Sequence, residues 1–383
     1  MLDFRNMTNI QMVDLKGQYA KISEQIDEAV LSTIRSTNFI NGPSVRTFQA
    51  NLEAYLSVEH VIPCANGTDA LQIALMALEL KAGDEVIIPA FTYIATAEVI
   101  SLLGLIPVMA EVDPDSFNIS IESIEFLISE KTKAIVPVHL YGQSADMEPI
   151  MKVAKKNNLY VIEDNAQAIG ATYTFSDGKQ MKTGTIGNIG TTSFFPSKNL
   201  GCYGDGGAIM TRDEILAKRI RMIANHGQLK KYHHEITGVN SRLDSIQAAI
   251  LDVKLKYLDD YIQARNDMAA YYDESLKDIN QLEVPKRSAN SDHVFHQYTL
   301  KVKGGKRDAL KTYLSDLGIP SMVYYPLPLY KQKAFKTFVG QGFKLDITEE
   351  LCSSVLSLPI HTEGSSKEMT FIVESIRAFY GIE

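Results

Sequence analysis

Between about residues 60 and 211, short β-branched apolar runs alternate with stretches whose apolar positions recur every three or four residues. The runs Val61–Ala65, Glu85–Pro89, Ile106–Val112, Ala134–Leu140, Tyr160–Asp164, Thr191–Phe195 and Gly207–Thr211 read as strands. Several are apolar almost throughout, as strands covered on both faces must be. Segments 69–80, 94–103, 120–129 and 146–157 separate the first five and suit crossover helices. This rhythm predicts an α/β fold with a mostly parallel seven-stranded sheet flanked by helices.

Ahead of the sheet, Gly42-Pro43-Ser44 opens a helix with Val45, Phe48, Leu52, Tyr55 and Leu56 on one face. Proline suits the first turn because its missing N–H has no partner there anyway. Behind the sheet, 212–224 and 242–279 read as helices, the second long enough to connect two domains. The pattern then changes to a strand at His296–Val302, a helix at Ala309–Leu317 and a proline-spaced loop at Tyr324–Leu329. A last helix follows near 367–380. These predict a large domain over residues 1–255, N-terminal helices included, and a smaller α+β domain over 256–383.

Composition narrows the class without naming a function. With 383 residues, 45% hydrophobic and 22% charged, the chain is an ordinary globular one. Its net charge of -8 speaks against a general nucleic-acid or anionic-membrane binder. The opening Met1–Asn6 has no basic-then-apolar leader, and the longest apolar stretch, Val99–Ala110, is interrupted and too short to span a bilayer. Cys64, Cys202 and Cys352 lie far apart, which suits a reducing cytoplasm. Eight histidines, His233-His234 among them, show no metal-ligand spacing, so no metal site is expected.

The chemistry begins with Lys198, in Ser193-Phe194-Phe195-Pro196-Ser197-Lys198, followed by Gly204-Asp205-Gly206-Gly207. A lone lysine is a surface charge by default. This one follows a buried-strand pattern and precedes glycines that let a ligand approach. Asp164 ends another such strand, where a carboxylate is costly unless paired; it reads as a helix cap or as the partner of a protonated pyridine. A strand-end lysine and carboxylate together are what pyridoxal 5'-phosphate requires: the amine carries the cofactor as an imine, and the carboxylate keeps its ring an electron acceptor. Asn66-Gly67-Thr68-Asp69 opens a helix and reads as an ordinary capped turn or as a phosphate cradle. Ser193 offers that phosphate a hydroxyl. Tyr93 reads as a stacking platform or as packing under a loop. Gln167 reads as a donor to the cofactor's phenolic oxygen or as a solvated amide.

These stretches, in this order, resemble the DegT-type sugar aminotransferases, fold-type-I pyridoxal phosphate enzymes, over nearly the whole chain. Asn41-Gly42-Pro43, Asn66–Leu71, Thr92–Thr96, Glu163–Gln167, Ser193–Lys198, Gly206–Ala208 and Gly238–Asp244 carry the likeness. The resemblance implies catalytic roles for Lys198 and Asp164. It implies stacking by Tyr93, a place for Gln167 beside the cofactor hydroxyl, and phosphate contacts from Gly67, Thr68 and Ser193. It also implies that Asn240 reaches the cofactor of a second subunit, so that a homodimer shares its active sites.

Cys64–Ile73, Leu140–Gln143, His226-Gly227-Gln228 with Tyr232–His234, and the run through Arg242 resemble in particular the 3-aminotransferases acting on UDP-2-acetamido-2-deoxy-3-oxo-glucuronate. This implies L-glutamate as amino donor, a nucleotide-linked keto-sugar as acceptor, and a place in cell-surface polysaccharide synthesis. Arg242 then reads as a partner for a sugar carboxylate or as half of a structural ion pair. Tyr324 and Tyr325 read as sugar contacts. Tyr324 stands where that pattern has histidine, and Asn165 where it has alanine. A tyrosine hydrogen-bonds but carries no positive charge, so a UDP- or dTDP-linked keto-6-deoxyhexose, aminated at C3 or C4, is the alternative substrate.

Overall fold

A computed structural model describes residues 10–340 and 342–382; the opening Met1–Asn6 read above lies outside them. Two helices, α1 (Leu15–Ser36) and α2 (Pro43–Leu56), precede the alternating region. There follow β1 (His60–Cys64), α3 (Gly67–Ala77), β2 (Glu85–Pro89), α4 (Ala95–Leu102), β3 (Ile106–Ala110), α5 (Ile121–Leu127), β4 (Thr132–Ile135), α6 (Met147–Asn157) and β5 (Tyr160–Asp164). A small hairpin, β6 (Thr172–Thr174) and β7 (Gln180–Lys182), leads to β8 (Ile189–Ser193) and β9 (Gly207–Thr211).

The seven principal strands form one sheet in the order β1-β9-β8-β5-β4-β2-β3. Five of them, β8-β5-β4-β2-β3, are mutually parallel, whereas β9 runs antiparallel to both β1 and β8. All seven predicted strands are present, several with shifted ends. The run Ala134–Leu140 is the most altered: the strand is Thr132–Ile135, and Leu140 opens a 3-10 turn. The chain has to leave the sheet there, because Val138 makes a single bridge to Asp164 and Tyr141 turns through a left-handed φ of 59°.

One face of the sheet packs against α3, α4 and α7 (Glu214–Ala224), the other against α5 and α6. A third cluster joins Phe48, Leu52 and Leu56 of α2 to Phe194, Leu200 and Cys202 beside the end of β8. Phe48 is fully buried and meets Phe194 edge-to-face at 5.4 Å. A helix before the sheet therefore braces the loop that carries Lys198.

A short hairpin, β10 (Gln228–Lys230) and β11 (His233–His234), follows α7. The predicted helix over 242–279 is two helices, α8 (Ser245–Leu255) and α9 (Leu258–Leu276). Between them they serve two cores, and the change falls within α9. Leu251, Leu255 and Leu258 pack with α2, whereas Met268, Ala269, Tyr272 and Leu276 pack in a second cluster. That cluster is built on the sheet of β12 (Leu282–Glu283), β13 (Tyr298–Val302) and β14 (Val355–Leu358), with α10 (Arg307–Asp316) and α12 (Ser366–Phe379) against it. The helix α11 (Asp346–Ser354) precedes β14. Leu329, Tyr330 and Phe335 return to the first core, packing with α3 and α4. Among the described residues no helix is long and apolar enough to cross a membrane.

Removing the Phe48 ring leaves a void beneath the lysine loop. Phe48→Ala should lower stability by about 3–5 kcal/mol, and Phe48→Leu by clearly less. Chemical denaturation of the two variants checks both values.

Candidate active site

At the carboxyl ends of the parallel strands lies a cavity of about 650 Å³, where open α/β sheets generally take their ligands. Five connections of the sheet meet there: β1–α3, β2–α4, β4–α6, β5 onward, and β8–β9. Asn66 accepts the Asp69 N–H at 2.8 Å and so caps α3. The N–H groups of Gly67 and Thr68 open an eleven-residue helix whose positive end faces the cavity, an arrangement that favours an anion. The fit is tight. A Cβ on Gly67 would lie 2.7 Å from the Ser193 Cβ, and one on Gly207 would lie 2.4 Å from the Asn66 carbonyl. Glycine at both positions lets the start of α3 close upon the ends of β8 and β9.

Glu163 and Asp164 end β5 and, as strand neighbours, point to opposite faces. Glu163 is fully buried and accepts four donors. These are the N–H groups of Gly184 (2.8 Å), Ile186 (2.6 Å) and Gly187 (2.7 Å), and His139 Nε2 (2.9 Å). His139 Nδ1 accepts from the Ala145 N–H at 3.0 Å, so the ring proton sits on Nε2 and is donated to Glu163. Asp164 is provided for differently. It accepts only from Thr96 Oγ1 at 2.8 Å and the Ala166 N–H at 3.2 Å, and it lines the cavity. Burial pushes its carboxyl up, against the pull of these two donors and of Lys198. An ionised Asp164 thus has room for one more partner, a cationic donor from the cavity side.

Lys198 lines the same cavity. Burial lowers its amine to about 8, while Asp164 acts in the opposite direction. Near neutral pH a useful fraction of the amine is therefore unprotonated and nucleophilic. Gln167 is buried and fixed at both ends: its Oε1 accepts the Tyr141 N–H at 2.8 Å, and its Nε2 donates to the Tyr325 hydroxyl at 3.2 Å. Tyr93, more than half exposed, stands at the mouth with Tyr325 6.2 Å away. The Tyr141 hydroxyl donates to the Tyr324 carbonyl and fastens that loop to the wall.

Gly67, Thr68, Tyr93, Asp164, Gln167, Ser193, Lys198, Tyr324 and Tyr325 are thus brought together. Asn240 and Arg242 are not: neither lines the cavity of its own chain. Asn240 is exposed on a stretch bridged to Asn225, and no described carboxylate forms an ion pair with Arg242. Thr96, which donates to Asp164, and the wall residues Tyr141, His296 and Gln297 were not among the expected site residues. Thr96 was legible in part, as a hydroxyl two places into a helix that follows a strand end. The others enter only through the fold.

The residues present fit pyridoxal phosphate. A dipole-backed cradle at Gly67 and Thr68 suits the phosphate, Asp164 retains space for a pyridinium N–H, and Lys198 supplies the amine.

The DegT/DnrJ/EryC1/StrS aminotransferase family matches residues 20–377. The chain belongs to this family. A pleiotropic regulatory protein of Geobacillus stearothermophilus is 46% identical, over 97% of this chain and 99% of its own. The UDP-2-acetamido-2-deoxy-3-oxo-D-glucuronate aminotransferase of Pseudomonas aeruginosa is 44% identical, over 92% and 95%. A dTDP-3-amino-3,6-dideoxy-alpha-D-galactopyranose transaminase of Aneurinibacillus thermoaerophilus is 42% identical, over 97% and 99%. Among solved structures, ntda from Bacillus subtilis with bound cofactor PMP superposes with a TM-score of 0.89. It is 33% identical, and the match covers 97% of this chain and 85% of that one. This member of the family is a sugar aminotransferase of fold type I, and pyridoxal phosphate is its cofactor.

The lowered Lys198 amine makes cofactor uptake by the apoprotein pH-dependent. Its rate should rise through an inflection near pH 8, well below the ordinary lysine value. Asp164→Asn removes the anion that favours the charged amine and should move the inflection lower still. Stopped-flow absorbance across pH checks both.

Proposed function

We propose that the enzyme transfers the amino group of L-glutamate to C3 of UDP-2-acetamido-2-deoxy-3-oxo-glucuronate, in the cytoplasm, for a cell-surface polysaccharide. The observation that carries the transamination is the convergence of Lys198, Asp164 and the Gly67–Thr68 helix start on one cavity. The bound cofactor supplies an electron sink for the carbon that loses its proton. The chain's own residues do the rest. Asp164, when ionised, would hold the pyridine nitrogen protonated; Gly67, Thr68 and Ser193 would anchor the phosphate. Lys198 Nζ would take the α-proton of glutamate and return it on the far side of the nitrogen being transferred, two bonds away. The same groups act in reverse once the sugar ketone replaces 2-oxoglutarate.

Two observations support the uronate. The Pseudomonas relative is named for it, and Arg242 has no described carboxylate partner, which leaves its planar fork available to a sugar carboxylate. Because Arg242 and Asn240 lie away from their own chain's cavity, this reading includes a homodimer in which each serves the neighbouring site. Tyr324 favours a second reading. An uncharged hydroxyl at that position suits a neutral 6-deoxyhexose, and a dTDP-sugar transaminase is among the relatives.

Lys198→Ala should abolish turnover and the visible absorbance of the lysine-bound cofactor; survival of both sinks the mechanism. A panel of UDP- and dTDP-keto-sugars with glutamate, read by product mass, decides between the two acceptors. Mixing Lys198→Ala with Asn240→Ala, each inactive alone, should restore activity through one intact site per mixed dimer. No recovery on subunit exchange would show that the sites are not shared.

A further inference from the structure

Thr96 is the second residue of α4 and is 1% exposed, behind the stretch of cavity wall that Thr92, Tyr93 and Ala95 of the same connection form. A threonine inside a helix commonly turns its hydroxyl back to a carbonyl one turn earlier. Here the hydroxyl reaches a partner 68 positions away in the sequence and donates to Asp164 Oδ2 at 2.8 Å. The direction of this bond follows from the groups themselves. An ionised carboxylate has no proton to give, so the hydroxyl is the donor.

The backbone and the side chain of Asp164 are held separately. Its N–H donates to the Pro137 carbonyl at 2.9 Å, and its carbonyl accepts the His139 N–H at 3.0 Å. These bonds fix the end of β5 against the connection after β4 but leave the carboxylate free to turn. The side chain has one donor on each oxygen, the Ala166 N–H on Oδ1 at 3.2 Å and the shorter bond from Thr96 on Oδ2. Among the described residues Thr96 is the only donor to Oδ2. Two donors on different oxygens set the plane of the carboxylate. The ionisable side chains near it are Lys198, His139 and Tyr325, and Asp205 is the other carboxylate on the cavity wall. Burial opposes the charge on Asp164; of the groups that favour it, the Thr96 hydroxyl comes first, ahead of the Ala166 N–H and Lys198.

We propose that Thr96 is a positioning residue for the reaction, its hydroxyl fixing Asp164 Oδ2 so that the carboxylate stays ionised and turned to the cavity. The same bond fastens the connection that carries Tyr93 to the end of β5. The inference rests on the reading of Asp164 as the partner of the pyridine nitrogen, and Thr96 acts on the cofactor through Asp164.

Infrared titration of the apoprotein reads the carboxylate directly, through the buried carboxyl band that Asp164→Asn abolishes. Thr96→Val keeps the branched shape without the hydroxyl and should raise Asp164's affinity for a proton about tenfold or more, moving the midpoint up by about one pH unit. Thr96→Ser should restore it. Thr96→Ala, which also lacks the hydroxyl, carries the same expectation should the valine variant fail to fold. A second readout uses the ring nitrogen. Equilibrium binding of pyridoxal phosphate by the apoprotein should weaken about tenfold in Thr96→Val. Binding of deazapyridoxal phosphate, in which carbon replaces that nitrogen, should be nearly unchanged, whereas a purely structural role for Thr96 would weaken both alike. An unmoved carboxyl midpoint, or equal loss with the two cofactors, overturns the proposal while leaving Asp164 in its role. If Asp164→Asn itself binds pyridoxal phosphate as tightly as the wild type, the reading of Asp164 falls and this inference with it.

Discussion

Two carboxylates buried side by side at the end of β5 set the terms for the rest of this structure. A buried charge needs several donors or a counter-ion, and consecutive strand residues must find them on opposite faces. Glu163 receives a full set from the 184–187 turn and from His139. In doing so it ties two loops to the strand end. Asp164, on the other face, is left with two donors and an opening. The carboxylate facing away from the cavity is saturated, and the one facing it is not.

That division extends around the cavity. Where the wall must be rigid, hydrogen bonds close on themselves: Gln167 is held between Tyr141 and Tyr325, and Arg265 and Asn199 hold the 294–297 segment. Where the cavity opens, donors are left without protein partners, at the start of α3, and Asp164 keeps a free side. Packing supports the same contrast. Phe48 and Phe194 fill the space under the lysine loop, while Gly67 and Gly207 allow helix and strand ends to approach as no side chain would. Preorganisation of this kind lowers the cost of ordering groups around a bound substrate.

Much of this was legible in the residue pattern. The seven strands follow from apolar runs of strand length, and Lys198, Asp164 and Gly67-Thr68 from their positions at the ends of such runs. Less legible were the places where chain direction responds to packing. The periodicity through 242–279 shows no Pro or Gly break, yet the helix divides at Lys256 and Tyr257, and α9 then runs from the first core into the second. The run 134–140 is apolar enough for a strand, but its second half belongs to the cavity wall.

Sequence by itself determined the α/β rhythm, the family and the strand ends on which the candidate residues stand, because strand alternation, strand-end polarity and motif spacing are local properties of the chain. Only the tertiary structure decided which polar groups are already satisfied. Glu163 and Asp164 are adjacent and chemically alike, and no local pattern distinguishes a saturated carboxylate from an open one. His296 reads as one more histidine before a strand until the fold sets it in the cavity wall near Lys198, with Arg265 at its back. Hydrogen-bond satisfaction depends on neighbours distant in the chain, and so it becomes fixed only when the chain is folded.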